Sequence, residues 1–223
     1  MTRSSDRVLL NPSATCPRMD TIRYVPIGDS YTAGEGTVER SSWPVVLTDQ
    51  LRRQDVDVML ATIAARVGWT TKDALEYGLP VFERAKPTFG TLLIGINDYL
   101  QEHSPQSFRT DLATLMDGML ATLGRNDRLL LITIPDFTAT PKGAVFSMAF
   151  GKDGAQGIAE YNAIIKEEAA TRGSRVADIY PLSQTMRGNP LLVGTDDVHP
   201  SAAEYALWAA EVLPVARDLL KNS

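Results

Sequence analysis

Residues 21–27, Thr-Ile-Arg-Tyr-Val-Pro-Ile, run directly into Gly28-Asp29-Ser30-Tyr31-Thr32. A short run of β-branched, aromatic and aliphatic residues that stops at Gly and Asp reads as a strand entering a tight turn. Four more runs of this kind follow, at 56–62, 88–94, 128–134 and 175–179. Their Val, Ile and Leu content suits strands covered on both faces. Helical patterns fill the intervals, at 42–54, 71–79, 105–123, 156–172 and 201–220. Ser104 before Pro105 reads as an N-cap with proline at the first helical position, and Ser201 with Glu204 fits a capping box. Gly124 and Gly173 stand where helices should stop. Strictly alternating strands and helices predict a three-layer α/β/α sandwich on a five-stranded parallel sheet.

The chain has 223 residues, enough for one domain with a sizeable core, expected at 21–223 behind a polar, proline-containing lead-in at 1–20. Its 44% apolar and 22% charged residues match globular averages, which excludes disordered and fibrous classes. A net charge of −5 argues against a nucleic-acid partner. No apolar stretch is long enough for a membrane span, so no stable insertion is expected. Val8-Leu9-Leu10 ends at Asn11-Pro12, too short for a secretory apolar region, and a cytoplasmic address is the default expectation. Cys16 is the one cysteine, so neither an internal disulfide nor a cysteine metal cluster is expected. Composition carries no reading of oligomeric state.

Open parallel sheets bind ligands beyond the carboxyl ends of their strands. Ser30 arrives there after the first strand and Gly68-Trp69 after the second. Gly95-Ile96-Asn97-Asp98 follows the third strand, and Gly194-Thr-Asp-Asp-Val-His-Pro200 follows the fifth. His199 is one of two histidines, and Asp196 sits three residues before it. A carboxylate so placed can fold back on Nδ1–H and leave Nε2 free as a base for a hydroxyl. Ser30 offers that hydroxyl. Asn97 side-chain N–H groups and the backbone N–H groups of Gly68 and Ser30 could serve a developing oxyanion. Each residue also has a plain structural reading. Ser30 could be an ordinary turn serine, Asn97 a turn cap, Gly68 a positive-φ position, and His199 the lead into the last helix.

Together they point to a serine hydrolase without cofactor or metal. Asp196, Asp197 and His199 could ligate a metal, the less favoured option. The glycine-rich turn 28–36 could suggest nucleotide binding, but Asp29 and Glu35 would repel phosphate and no lysine follows. Glu102-His103 reads as solvent-facing. Residues 136–155, with Phe137, Phe146, Met148 and Phe150, read as a long loop walling a substrate pocket.

These blocks, in this order, resemble the SGNH group of the GDSL esterases and lipases. Gly28-Asp29-Ser30-Tyr31, Gly68, Gly95-Ile96-Asn97-Asp98 and Asp196-Asp197-Val198-His199-Pro200 span most of the chain. Ile134-Pro135-Asp136 and the helix at 156–172 are similar to the single-domain bacterial branch labelled lysophospholipase L1-like. The resemblance implies a flavodoxin-like sandwich with strand order 2-1-3-4-5 and a triad of Ser30, His199 and Asp196. It also implies an oxyanion hole of Ser30 N–H, Gly68 N–H and Asn97. Tyr31 stands in place of the leucine that names the group, and Trp69 follows the second block. Tyr31, Trp69, Phe137 and Phe146 are expected to border the cleft for a small-molecule ester. The expected chemistry is ester hydrolysis through an acyl-enzyme on Ser30, failing in acid as the imidazole takes a proton. An acyltransferase with the same triad and a non-catalytic binding module are the alternatives.

Overall fold

The computed structural model describes residues 21–149 and 153–221. The lead-in expected at 1–20, with Cys16, and Phe150 lie outside the described residues.

The strands are β1 (Ile22–Gly28), β2 (Val58–Leu60), β3 (Ala64–Ala65), β4 (Phe89–Leu93), β5 (Leu129–Ile132) and β6 (Arg175–Ala177). All pair in parallel, in the order β2-β1-β4-β5-β6, with β3 beside the carboxyl end of β1. Counting the path strands alone gives the expected 2-1-3-4-5. Tyr24, Val25 and Ile27 of β1 are fully buried, as are Phe89 of β4 and Leu129 and Leu130 of β5. Helices Trp43–Arg52 and Ala202–Lys221 pack together on one face. Leu79–Ala85, Pro105–Leu123 and Gly154–Arg172 cover the other. Covering both faces buries the central strands β4 and β5 and most of β1, which is why those strands read as largely apolar runs, while Met59 and Arg175 on the edge strands stay exposed.

Three expectations change in detail. The run 56–62 pairs only at Val58–Leu60; the chain then leaves the edge and rejoins β1 at Ala64–Ala65, against Ile27 and Gly28. That break aims residues 66–70 past the end of β1. The helix expected at 71–79 is a short turn, Thr71–Asp73, a π-helical turn, Ala74–Gly78, and a helix, Leu79–Ala85. Pro80 can only begin a new segment there, because it has no N–H to continue the old one. The long loop expected at 136–155 is mostly helical: a 3₁₀ turn, Phe137–Ala139, the helix Pro141–Ala149, and the start of Gly154–Arg172. Val145 and Met148 are 62% and 82% exposed, so the Pro141–Ala149 helix has no one-sided apolar stripe to reveal it.

Caps follow the sequence closely. Ser104 Oγ accepts the Ser107 N–H at 3.1 Å, and Gly124 and Gly173 end their helices at φ of 66° and 69°. The Ser201–Glu204 box is only half made. Ser201 Oγ accepts the Glu204 N–H at 3.4 Å, but the Glu204 carboxylate turns inward and accepts Trp208 Nε1–H at 2.7 Å.

Candidate active site

β1 ends at Gly28, and Asp29 caps the helical turn Ser30–Ala33 by accepting the Tyr31 N–H at 2.9 Å. Asp29 is fully buried, and its second carboxyl oxygen has no hydrogen-bond partner among the described residues. Burial pushes its pKa up to about 8, with the Tyr31 amide opposing and the nearby Asp98 charge adding to the rise. The rise favours the protonated, neutral form. A neutral Asp29 places no fixed negative charge beside Ser30, where a second anion would be costly.

Residues 193–200 form a closed loop. Val193 bridges Pro200, Gly194 N–H donates to His199 O at 2.7 Å, and Ser201 N–H donates to Leu192 O at 2.8 Å. Inside it, Asp196 Oδ1 accepts the Val198 and His199 N–H groups at 3.0 and 2.9 Å. Asp196 Oδ2 is 2.7 Å from His199 Nδ1, and His199 Nε2 is 3.0 Å from Ser30 Oγ. Partial burial disfavours the Asp196 carboxylate, but the two amides and the imidazole outweigh it and hold its pKa below the ordinary value. An ionised Asp196 on Nδ1 leaves Nε2 facing the hydroxyl. Lys142, from the Pro141–Ala149 helix, clamps the loop from outside. Its Nζ donates to Asp196 O at 2.6 Å and its N–H to Asp197 O at 3.0 Å. Asp197 turns the loop at a φ of 62°.

Gly68 and Asn97 come to this end of the sheet from β3 and β4. Gly68 has a φ of 84°, a backbone state that a side chain would strain. No described atom lies within 4 Å of where its Cβ would stand, and the residue is exposed. Asn97 lies on the turn Ile96–Leu100, which Gly95 begins at a φ of 127°. A Cβ at Gly95 would also collide with Ile134 and Phe108, at 2.8 Å. Asn97 Nδ2 donates to Trp69 O at 2.8 Å, which uses one of its two amide hydrogens. Asp98 is fully buried and binds Thr71.

The residues expected along the cleft separate into two groups. Tyr31 and Phe137 are buried, at 4% and 5% exposure. Tyr31 lies edge-on beneath His199, ring centroids 5.8 Å apart, and edge-on to Trp208 at 5.6 Å. Phe137 packs on Tyr99 at 6.1 Å. Their aromatic area was worth more in the core than in solvent. Trp69 is half-buried, 6.2 Å from the exposed ring of Tyr77, and Phe146 is exposed on its helix. His103, expected to be solvent-facing, is half-buried with Nδ1 3.3 Å from Asp98 Oδ1. Lys142, Thr71 and Asp98 were not singled out by sequence reading; their importance rests on contacts across 27 to 54 residues of chain. Among the described residues, no three His, Cys, Asp or Glu side chains gather to ligate a metal ion. No helix among them is long and apolar enough to cross a membrane.

The model of the GDSL-like lipase/acylhydrolase family matches residues 27–207, from the end of β1 into the last helix. The chain belongs to the GDSL-like lipase/acylhydrolase family. No curated protein sequence matches it. Among solved structures, this GDSL hydrolase is similar to TesA, with a TM-score of 0.72 and 21% identity, covering 89% of this chain and 99% of that one. A lipase/acylhydrolase from Enterococcus faecalis gives 0.71 and 22%, covering 91% and 98%. Axe2, an acetylxylan esterase from Geobacillus stearothermophilus, gives 0.69 and 16%, covering 87% and 94%. At these identities the structural likeness speaks for the fold, the parallel sheet flanked by helices.

Proposed function

We propose that this GDSL hydrolase cleaves carboxylic esters through an acyl-enzyme on Ser30. The observation that carries the reading is the chain of contacts from Asp196 Oδ2 through His199 to Ser30 Oγ, at 2.7 and 3.0 Å. His199 Nε2 takes the Ser30 proton as Oγ attacks the ester carbonyl. The resulting oxyanion is held by the Ser30 and Gly68 N–H groups and the second amide hydrogen of Asn97. His199 returns the proton to the leaving alkoxide, then draws a proton from water to release the acid. Asp196 fixes the ring and offsets its positive charge. Substrates are esters with a small acyl or aryl group, on lipid or acetylated alcohols, a reading supported by the half-buried Trp69 and by the acylhydrolases and acetylxylan esterase that share the fold. The test is stoichiometric labelling by a p-nitrophenyl alkylphosphonate together with hydrolysis of p-nitrophenyl acetate. Loss of both in Ser30→Ala is expected; retained hydrolysis in that variant refutes the assignment.

A further inference from the structure

We propose that Asp98 is a positioning residue that holds the oxyanion half of the site in shape, an inference that rests on the acyl-transfer reading above. Asp98 follows Asn97, and its side chain has no exposure to solvent. Oδ2 accepts the Thr71 N–H at 2.9 Å, and Oδ1 accepts the Thr71 Oγ–H at 2.7 Å. Thr71 begins the turn that follows the Gly68 loop, and that turn is bonded within itself. Thr70 and Asp73 form a reciprocal capping box there, with Thr70 N–H to Asp73 Oδ2 at 2.9 Å and Asp73 N–H to Thr70 Oγ at 3.3 Å. Asn97 ties the same segment from the adjacent position, through Nδ2 to Trp69 O. Two consecutive residues after β4 thus grip residues 69 and 71 after β3.

The grip matters because the two groups proposed to hold the oxyanion come from separate strand ends. Their spacing is set by no shared backbone. A donor helps only if it is aimed before charge develops, and a displacement of about 1 Å can cost ~10²-fold in rate. Burial strengthens the tie. If Asp98 is truncated, both Thr71 donors lose their partner inside the protein, and the loop must move to find others. His103 completes the brace from the outside. Its Nδ1 lies 3.3 Å from Asp98 Oδ1, its N–H donates to the Asp98 carbonyl at 2.9 Å, and its own carbonyl accepts the Tyr161 hydroxyl of the Gly154–Arg172 helix. Asp98 touches no reacting atom, so its effect passes through Gly68 and Asn97.

The experiment compares wild type with Asp98→Ala, Asp98→Asn and Thr71→Val, reading kcat and KM on p-nitrophenyl acetate, the rate of phosphonate inactivation, and thermal unfolding. Asp98→Ala is expected to lose ~30-fold or more in kcat and in inactivation rate, with KM within ~2-fold, as for a group needed only in the transition state. Asparagine can accept from the Thr71 amide and donate to its Oγ, so Asp98→Asn should recover to within ~3-fold of wild type. The acid limb of the pH profile should stay in place in all variants, because His199 and Asp196 are untouched. Should Asp98→Ala fail to fold, Thr71→Val carries the test, with an expected ~5-fold or greater loss in kcat. Wild-type kcat in Asp98→Ala or Thr71→Val, a loss confined to KM, or a shifted acid limb would overturn the brace. Failure of the acyl-transfer reading shows separately, as wild-type protein that the phosphonate does not label.

Discussion

The two halves of the site are held by different means. Asp196 and His199 lie three residues apart in a loop that closes on itself through Gly194 and Ser201, so their geometry is local. The tertiary structure adds an outer clamp, Lys142, whose bond to Asp196 O lies at the surface. Gly68 and Asn97 lie 29 positions apart in sequence and meet only because β3 and β4 flank β1. That half is tied from within, through Asp98–Thr71 and Asn97–Trp69. A local motif carries its own restraints and needs little support. A non-local one needs buried bonds, since its parts are otherwise free to drift against each other.

The sharpest break removes Ser30, on which both halves act, or the imidazole that faces it. Ser30→Ala or His199→Ala should lower kcat about 10⁴-fold or more, measured by steady-state hydrolysis of p-nitrophenyl acetate. Removing a single donor from the half that is tied from within is next. Asn97→Ala should cost ~10²–10³ in kcat, with a smaller change in KM, since it removes the proposed oxyanion donor together with the bond to Trp69 O.

A third prediction concerns the floor of the acid–base half, where Glu204 holds Trp208, Trp208 abuts Tyr31, and Tyr31 lies under His199. Burial pushes the Glu204 pKa up to about 7, opposed by its bond from Trp208. An acid whose folded pKa lies above its unfolded one is stabilising only while protonated, and the folded state loses ground as pH rises between the two values. Glu204→Gln keeps an acceptor for Trp208 and has no charge to bury. It should gain about 1–3 kcal/mol over wild type at pH 8 and nothing near pH 4, by urea unfolding at both pH values.

The smallest effect belongs to the outer clamp. Lys142→Met should lower kcat/KM only ~2–5-fold, because an exposed charge-assisted bond contributes little and the loop's own bonds remain. A loss near that of Asn97→Ala would mean that the acid–base half depends on the Pro141–Ala149 helix as much as the oxyanion half depends on its buried ties.

The alternation of strands and helices and the residues to watch were legible because each rests on short-range chemistry, whereas the sheet order came only from the family resemblance. Apolar runs between Gly and Asp marked the strands, and Ser104-Pro105 and Gly124 marked helix ends by rules of backbone geometry. Asp196 before His199 was readable because three residues suffice for a carboxylate to reach its own imidazole. Misreadings fell where a side chain could turn either way. Glu204 fitted a capping box by spacing, and its carboxylate went to Trp208. His103 looked solvent-facing beside Glu102, and only the buried Asp98 shows why it is not.

The order of residues along the chain thus determined the layered fold, the turn that presents Ser30 and the pairing of Asp196 with His199. All of these depend on neighbours within a few positions or on periodicity. What only the tertiary structure decided is which side chains face inward and which distant segments touch. Asp98 with Thr71, Asn97 with Trp69, Lys142 with Asp196 and Glu204 with Trp208 are such choices. The last of these pairs spans one helical turn, yet burial beside Tyr31 settled it. Such contacts are chosen by the competition of all groups for the same interior, a sum over the whole packed chain that no local pattern contains.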